Sequence, residues 1–422
     1  MKTFIISFLL LFFVISIHAQ QDSIGFYLQK AREASTNDDL QNFYFYAETC
    51  YNLNPSCMIF IYNYAIANAL KKNIEKTVFI LERLLSNGVN SDILNNSLFD
   101  FVRSNEKYQN LAELYSNSPA KIINSELAFE IPEKDIIPEG ITYNPVTKEF
   151  FVGSLFKSKI VKIDADKNVS DFIKTGQYDF LSVLGMNADP ERNILWANSC
   201  YGYLKESIPA EKLGMAGIYK LNLTDGTLIK HYTLLQEENH FLNDLAINNN
   251  GDVFITDSHV PAVYKIDSKT DELNKMVDLP FNSYPNGITI SDNDKKLFIA
   301  TSFGIYMFDF NSKEILLVPL AENQVYASCD GLYYYKNSLI GVQSFTNRVT
   351  RFYLNENQNR ITHQQILESN NPLFETPTTG VIVDNKLYLI ANAQLTKVDD
   401  KGKIAPLDEL NTTKIIAIKI ED

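Results

Sequence analysis

The chain is 422 residues long, with 38 Lys and Arg against 51 Asp and Glu, a formal net charge of −13. Apolar and cysteine residues make up 45% and charged residues 21%, which excludes a disordered, collagenous or coiled-coil chain, and at ~150 residues per domain the length predicts two or three domains. The acidic excess argues against nucleic acid or an anionic membrane as partner, since both attract clustered positive charge, but leaves a bound cation open.

Residues 1–20 read as a cleaved secretory signal. Lys2 supplies the positive start, and the run from Phe4 to Ile17 is broken only by Ser7 and Ser16. That run is too short to span a bilayer comfortably, and Ala19-Gln20 gives a small-residue exit. No cysteine follows it to carry a lipid anchor, and no later stretch is apolar enough for membrane insertion. The expected product is therefore exported, periplasmic or secreted, and its Asn, Lys and Ile usage looks bacterial. The four cysteines, Cys50, Cys57, Cys200 and Cys329, make no disulfide framework. Cys50 and Cys57 flank a Leu-Asn-Pro break and could pair.

Residues 21–120 are expected to be helical. Ile74, Val78, Leu81 and Leu85 fall at i, i+4, i+7 and i+11, one face of a helix, with Gly88 where a C-terminal glycine cap belongs. Asn54-Pro55 is expected to open the preceding helix, whose packing face is Tyr62, Ala65 and Ala69. Two antiparallel helices opened by Asn-Pro resemble a tetratricopeptide repeat. The resemblance implies a module that binds a peptide or protein partner, and a purely structural helical cap fits the same residues.

The composition changes near Ser118-Pro119. Residues 125–422 show short alternating strands separated by Gly, Asn, Asp and Pro, an all-β signature. One form repeats there: PEGITYN at 138, NDLAINN at 243, PNGITIS at 285, CDGLYYY at 329 and TGVIVDN at 379. Second strands follow, EFFVGS, DVFITDS, KLFIATS, SLIGVQS and KLYLIAN, and a sixth copy is LGMNADP with ILWANS. The residues opening the copies, Glu139, Leu184, Asn243, Asn286, Asp330 and Thr379, lie 45, 59, 43, 44 and 49 residues apart. A period in the forties with three or four strands per unit predicts a six-bladed β-propeller. The chain is thus read as mainly β, with a small α-helical domain before the propeller. ELAFEIP (126–132) and IIAIKI (415–420) are expected to join in one blade and fasten the ring.

First strands of propeller blades line the central axis, so the six opening residues should form a ring at one face. Glu139, Asn243, Asn286 and Asp330 would there present four hard oxygen donors with charge −2, a set that suits calcium. Zinc would want His or Cys. A single Asn-Gly or Asp-Gly is also a common turn dipeptide, but four in phase point to a metal. Two converging carboxylates without a cation would repel each other.

These PEG, LND, PNG and CDG entries resemble the senescence marker protein (regucalcin), gluconolactonase and luciferin-regenerating-enzyme group, and the related paraoxonase and strictosidine synthase propellers. The resemblance covers about residues 125–422 and implies one axial calcium held by Glu139, Asn243, Asn286 and Asp330. It further implies Asp330 as general base or nucleophile, and a lactone or ester as the small-molecule substrate. Two features depart from it. Phe241 stands where the sugar-lactonase branch has an Arg, and Leu184 where the paraoxonase branch has a catalytic His. Topology adds His259 and His240 as candidate proton-transfer residues, residues 200–216 as a lid bringing Tyr201, Tyr203 or Lys205 over the site, and Tyr284 and Tyr326 as walls. No G-x-S-x-G elbow, P-loop or dinucleotide fingerprint is present. A calcium-dependent hydrolase is the first reading; a non-catalytic, calcium-stabilised propeller that binds a ligand or protein is the alternative.

Overall fold

The computed structural model describes residues 24–89, 95–116, 121–201, 214–234, 239–399 and 401–421. The expected signal segment, the break at Ser118-Pro119 and most of the expected lid, including Tyr203 and Lys205, lie outside them. The chain forms two compact units. One comprises the helical residues up to Pro119 with Asp278–Tyr284 and Glu322–Ala327; the other holds the remainder.

The helical unit contains α1 (24–36), α2 (Leu40–Leu53), α3 (Met58–Leu70), α4 (Ile74–Ser86) and α5 (Glu106–Ser116). In α4, Val78, Leu81 and Leu85 are buried as the spacing predicts, whereas Ile74 is exposed. Asn73 caps its start by accepting the Lys76 N–H. Gly88, at φ +73°, ends it: the Gly88 and Val89 N–H groups turn back to the Leu85 and Leu84 carbonyls, which leaves none of them orphaned. Asn54-Pro55 does not open α3. Asn54 closes α2, and α3 starts three residues beyond Pro55. No disulfide joins the four cysteines, Cys50 and Cys57 included, and burial pushes the Cys50 and Cys57 thiols up to about 12. Val325 and Ala327 complete this core, and Tyr326 pairs with Ser56 and Met58 through its backbone. Tyr284 and Tyr326, expected as walls of the ring site, thus belong to the helical unit.

The second unit is a six-bladed β-propeller of four-stranded antiparallel blades. Blade one is β2 (Pro138–Asn144), β3 (Glu149–Ser154), β4 (Ile160–Ile163) and β5 (Val169–Ile173). Blade two is β6 (Ser182–Asp189), β7 (Ile194–Cys200), β8 (Ala216–Asn222) and β9 (Leu228–Leu234). Blade three is β10 (Leu242–Ile247), β11 (Val253–Asp257), β12 (Ala262–Ile266) and β13 (Leu273–Asp278). Blade four is β14 (Ile288–Ile290), β15 (Lys296–Ala300), β16 (Ile305–Asp309) and β17 (Ile315–Leu317). Blade five is β18 (Leu332–Tyr335), β19 (Ser338–Gln343), β20 (Arg348–Leu354) and β21 (Ile361–Ser369). In blade six, β22 (Gly380–Val383), β23 (Lys386–Ile390) and β24 (Thr413–Lys419) are completed by β1 (Ser125–Ile131), which pairs antiparallel with β24. The two ends of the propeller sequence therefore meet in one sheet.

Second strands are apolar along most of their length because both faces are covered. In β7, Ile194 and Trp196 pack toward Leu245 and Val253 of blade three, while Leu195 and Ala197 pack toward Phe151 of blade one. Each blade is thus half of two cores, and the cores fix the ring that positions the axial residues. Among the described residues, no helix is long and apolar enough to cross a membrane.

Candidate metal centre

The six ring residues lie at or just before the six first strands. In blades one to three they fall in a β-bulge: register shifts separate Pro138 from Ile141, Val183 from Met186 and Leu242 from Leu245. Such an extra residue re-aims a side chain. The glycine after most ring positions has a steric cause. A Cβ on Gly140 would fall 2.0 Å from the Leu184 carbonyl oxygen, and one on Gly185 2.6 Å from the Asn243 carbonyl oxygen. Successive first strands approach too closely there for any side chain.

The structure joins three of the four expected metal ligands through hydrogen bonds or charge. Asn286 Nδ2 donates to Asp330 Oδ1 at 2.6 Å. Glu139 is buried, and its carboxyl is pushed well above the usual range, first by burial and then by the charges of Asp330 and Asp244. Burial also raises Asp330, opposed by hydrogen bonds from Ser344 and Asn286. Asn243, also buried, donates Nδ2 to Ser258 Oγ at 3.1 Å. Two buried oxygens, Glu139 Oε2 and Asn286 Oδ1, have no hydrogen-bond partner. The other two ring residues do structural work. The Thr379 hydroxyl donates to the Glu139 carbonyl and links blade six to blade one, and Leu184 is buried in the apolar core between blades two and three.

Asp244, Tyr333, Ser258 and Ser344 were not singled out from the sequence. Asp244 occupies the place that is glycine in the other five copies, which is the signal that could have found it. Its carboxyl is raised to about 7, by burial above all, with the Leu245 and Ile288 N–H groups opposing and the Asp330 charge adding. Tyr333 accepts the Gly380 N–H at its hydroxyl, 2.5 Å away, and its acidity is suppressed by burial and by the charges of Asp244, Asp330 and Glu139. Asp244 and Tyr333 line a cavity of about 160 Å³ between the first strands, with Thr142, Asn187, Ile141 and Met186 also among its walls. The recurring serine that ends the second strands was visible in EFFVGS, DVFITDS and SLIGVQS. Ser344 Oγ lies 2.7 Å from Asp330 Oδ2 and 2.5 Å from the Pro377 carbonyl oxygen of blade six.

The two histidines differ. His240 is buried, with Nδ1 2.5 Å from Asp257 Oδ2. Asp257 is fully buried, and its Oδ1 accepts the backbone N–H groups of Phe241, His259 and Val260. His259 is exposed, and its ring lies 5.1 Å from that of Phe241. The pair His240–Asp257 therefore fastens the entry to blade three, and His259 stands at its surface.

Among the described residues, no group of three or more His, Cys, Asp and Glu side chains is arranged to hold a metal. Two of the four ring candidates are amides, so an oxygen site of this composition does not depend on such a group. The donor set contains no soft ligand and leaves buried oxygens unpaired, which fits a hard cation.

The chain matches no protein-family model and no curated protein. Solved structures with a similar fold include a gluconolactonase from Xanthomonas campestris, at 13% identity and TM-score 0.48, covering 72% of this chain and 92% of that one. A luciferin-regenerating enzyme has 13% identity and TM-score 0.47, covering 70% and 94%. A virginiamycin B lyase from Staphylococcus aureus, a catalytically inactive variant with quinupristin, has 15% identity and TM-score 0.47, covering 69% and 83%.

Proposed function

We propose that this chain is an exported, calcium-dependent hydrolase acting on a lactone or ester, with its site at the axial ring. The observation that carries this is the pair of orphaned buried oxygens, Glu139 Oε2 and Asn286 Oδ1, with the Asp330 and Asp244 charges adding to burial in raising the proton affinity of Glu139. A buried acceptor without a partner costs about 1–3 kcal/mol, and a cation removes that cost for both. Glu139, Asn243, Asn286 and Asp330 would hold it. Calcium takes 6–8 oxygens, so four side chains leave positions for water and substrate. Bound there, calcium would supply Lewis-acid polarisation of a carbonyl.

The chain's own residues supply the remainder. Asp330 is held at both oxygens, by Asn286 and by Ser344, which fixes its direction as a base toward water. Buried Leu184 and half-buried Phe241, whose ring lies against that of His259, bring no charged group. That favours an apolar lactone or ester over a sugar lactone. The helical unit is proposed to be a tetratricopeptide-like module that holds a protein partner, and the signal-like residues 1–20 support the proposal of export.

The test is hydrolysis of a lactone and ester panel with and without a chelator. Turnover that disappears with chelator and returns with calcium is expected. No turnover, with calcium still stabilising the fold, would leave the binding propeller as the function.

A further inference from the structure

Ser258 Oγ is buried between two groups: Asn243 Nδ2 at 3.1 Å and the carbonyl oxygen of Pro285 at 2.5 Å. A hydroxyl has one proton, and a carbonyl oxygen can only accept. The Ser258 proton is therefore committed to Pro285, the residue that immediately precedes Asn286. What Ser258 then offers Asn243 is a lone pair, and a lone pair calls for the amide N–H₂ rather than the amide oxygen. The two ends of an asparagine amide are nearly equal in size, so packing alone does not choose between them. The hydrogen-bond polarity does, and it turns Asn243 Oδ1 away from the serine.

The same logic holds for the other amide. An ionised carboxylate only accepts, so Asp330 Oδ1 draws the Asn286 N–H₂ and leaves Asn286 Oδ1 without a partner. Both ring amides are thus polarised by neighbours that can do nothing but accept. Blade five differs: Ser344 Oγ faces two acceptors, its own ring residue Asp330 and the Pro377 carbonyl at the entry to blade six, and its one proton serves one of them at a time.

We propose that Ser258 is a positioning residue that sets the flip of Asn243 through the Pro285 carbonyl, so that the amide oxygen and not the amide nitrogen faces the cation. The proposal rests on the reading of the ring as a cation site. It assigns Ser258 the role of passing the polarity of the entry to blade four to the ring residue of blade three. Without Ser258 the amide nitrogen loses its acceptor, the two flips approach equal energy, and a donor N–H₂ points at the cation part of the time.

The experiment is calcium titration of the full chain by calorimetry, with melting of the chelated protein as the control for folding. Ser258→Ala should weaken calcium binding by about 10–100-fold, the usual loss when a group orienting a ligand is removed. Ser258→Thr keeps the hydroxyl and should bind as the parent does. Ser258→Cys keeps the side-chain size but is a poor acceptor, and should show the loss even if alanine disturbs folding. The decisive variant is Ser258→Ala with Asn243→Asp. A carboxylate offers oxygen in either orientation, so this pair should recover most of the affinity. Unchanged affinity in both Ser258→Ala and Ser258→Cys, or no recovery in the pair, would overturn the positioning role while leaving the cation site standing. Absence of calcium binding by the parent chain would overturn the cation reading and the positioning role together.

Discussion

Asn286 donates its side-chain N–H to Asp330 at 2.6 Å, so ring residues of adjacent blades touch although 44 positions separate them in the chain. The contact divides the labour between them. Asp330 is held as an acceptor, and Asn286 is left with an oxygen that no protein group uses.

Substitution should separate these roles. Asp330→Asn keeps an oxygen and nearly the same shape but removes the charge and the base. Calcium affinity should fall modestly and turnover by ~10²–10⁴, the usual worth of general-base help. Asn286→Ala removes a ligand but no proton carrier, so affinity and turnover should fall together. Calorimetry and turnover at saturating calcium measure both. Near-parental turnover in Asp330→Asn would shift the base to His259 or His240.

Calcium should raise the melting temperature of the full chain above that in magnesium or chelator. At a hundredfold excess over the dissociation constant, linkage gives about 2.7 kcal/mol. Magnesium prefers a tight octahedron with most of its waters retained, so its effect should be smaller. Equal melting in all three conditions would remove the cation from the ring.

Chelated protein should lose stability as pH rises toward neutrality. Glu139, Asp244 and Asp330 all bind protons more tightly in the folded chain than in the unfolded one, Asp244 up to about 7. An acid raised in this way adds stability that is fully present below its unfolded value and is lost as pH passes its folded value. The decline attributable to Asp244 should therefore run from about pH 4 to about pH 7. Calcium should offset it, so the gap between calcium and chelator melting curves should widen with pH. Asp244→Asn should flatten the chelated curve. A gap independent of pH would show that these carboxyls do not share one site.

The blade count was legible because each copy repeats an opening polar residue and two apolar strands, and because a period in the forties fits one architecture. The ring positions were legible for the same reason: phase along the sequence becomes position around the axis. Asp244 was not, because a carboxylate after Asn reads as an ordinary turn residue until the five glycines beside it reveal the crowding it escapes. Ser258 and Ser344 were hidden by their commonness, since a serine ending a strand carries no chemistry until its two partners are known. Tyr326 misled because nearness to Asp330 in sequence says nothing about which unit takes up the loop before it. Pro55 misled similarly: a proline near a helix start fits the first turn, yet here it belongs to the break between α2 and α3.

The helical unit should be hard to remove. Val325 and Ala327 are fully buried in its core, and Arg83 donates to the Gln324 carbonyl at 3.1 Å. A chain beginning near residue 122 would expose Val325, Tyr326 and Ala327 to water. Such a chain is expected to aggregate, and Val325→Asp in the full chain to lower the melting temperature, since it buries an unpaired charge. Size-exclusion chromatography and thermal melts check both; a monomeric, calcium-binding short chain would show that those three residues tolerate exposure.

The meeting of β1 and β24 in one blade also sets an order of events. Thr412 donates its hydroxyl to Glu130 across 282 residues, and the β1–β24 ladder lies beside it. During synthesis the earliest blade-six strand waits, unpaired, while five whole blades are made. Contacts of such long separation form late and slowly, and an open strand edge is prone to wrong pairing in the meantime. A ribosome stalled before residue 413 would leave β1 without its partner. Glu139 of blade one, tied to Thr379 of blade six, would then not be locked into the ring until β24 had been delivered, so any cation held there would report that the ring had closed.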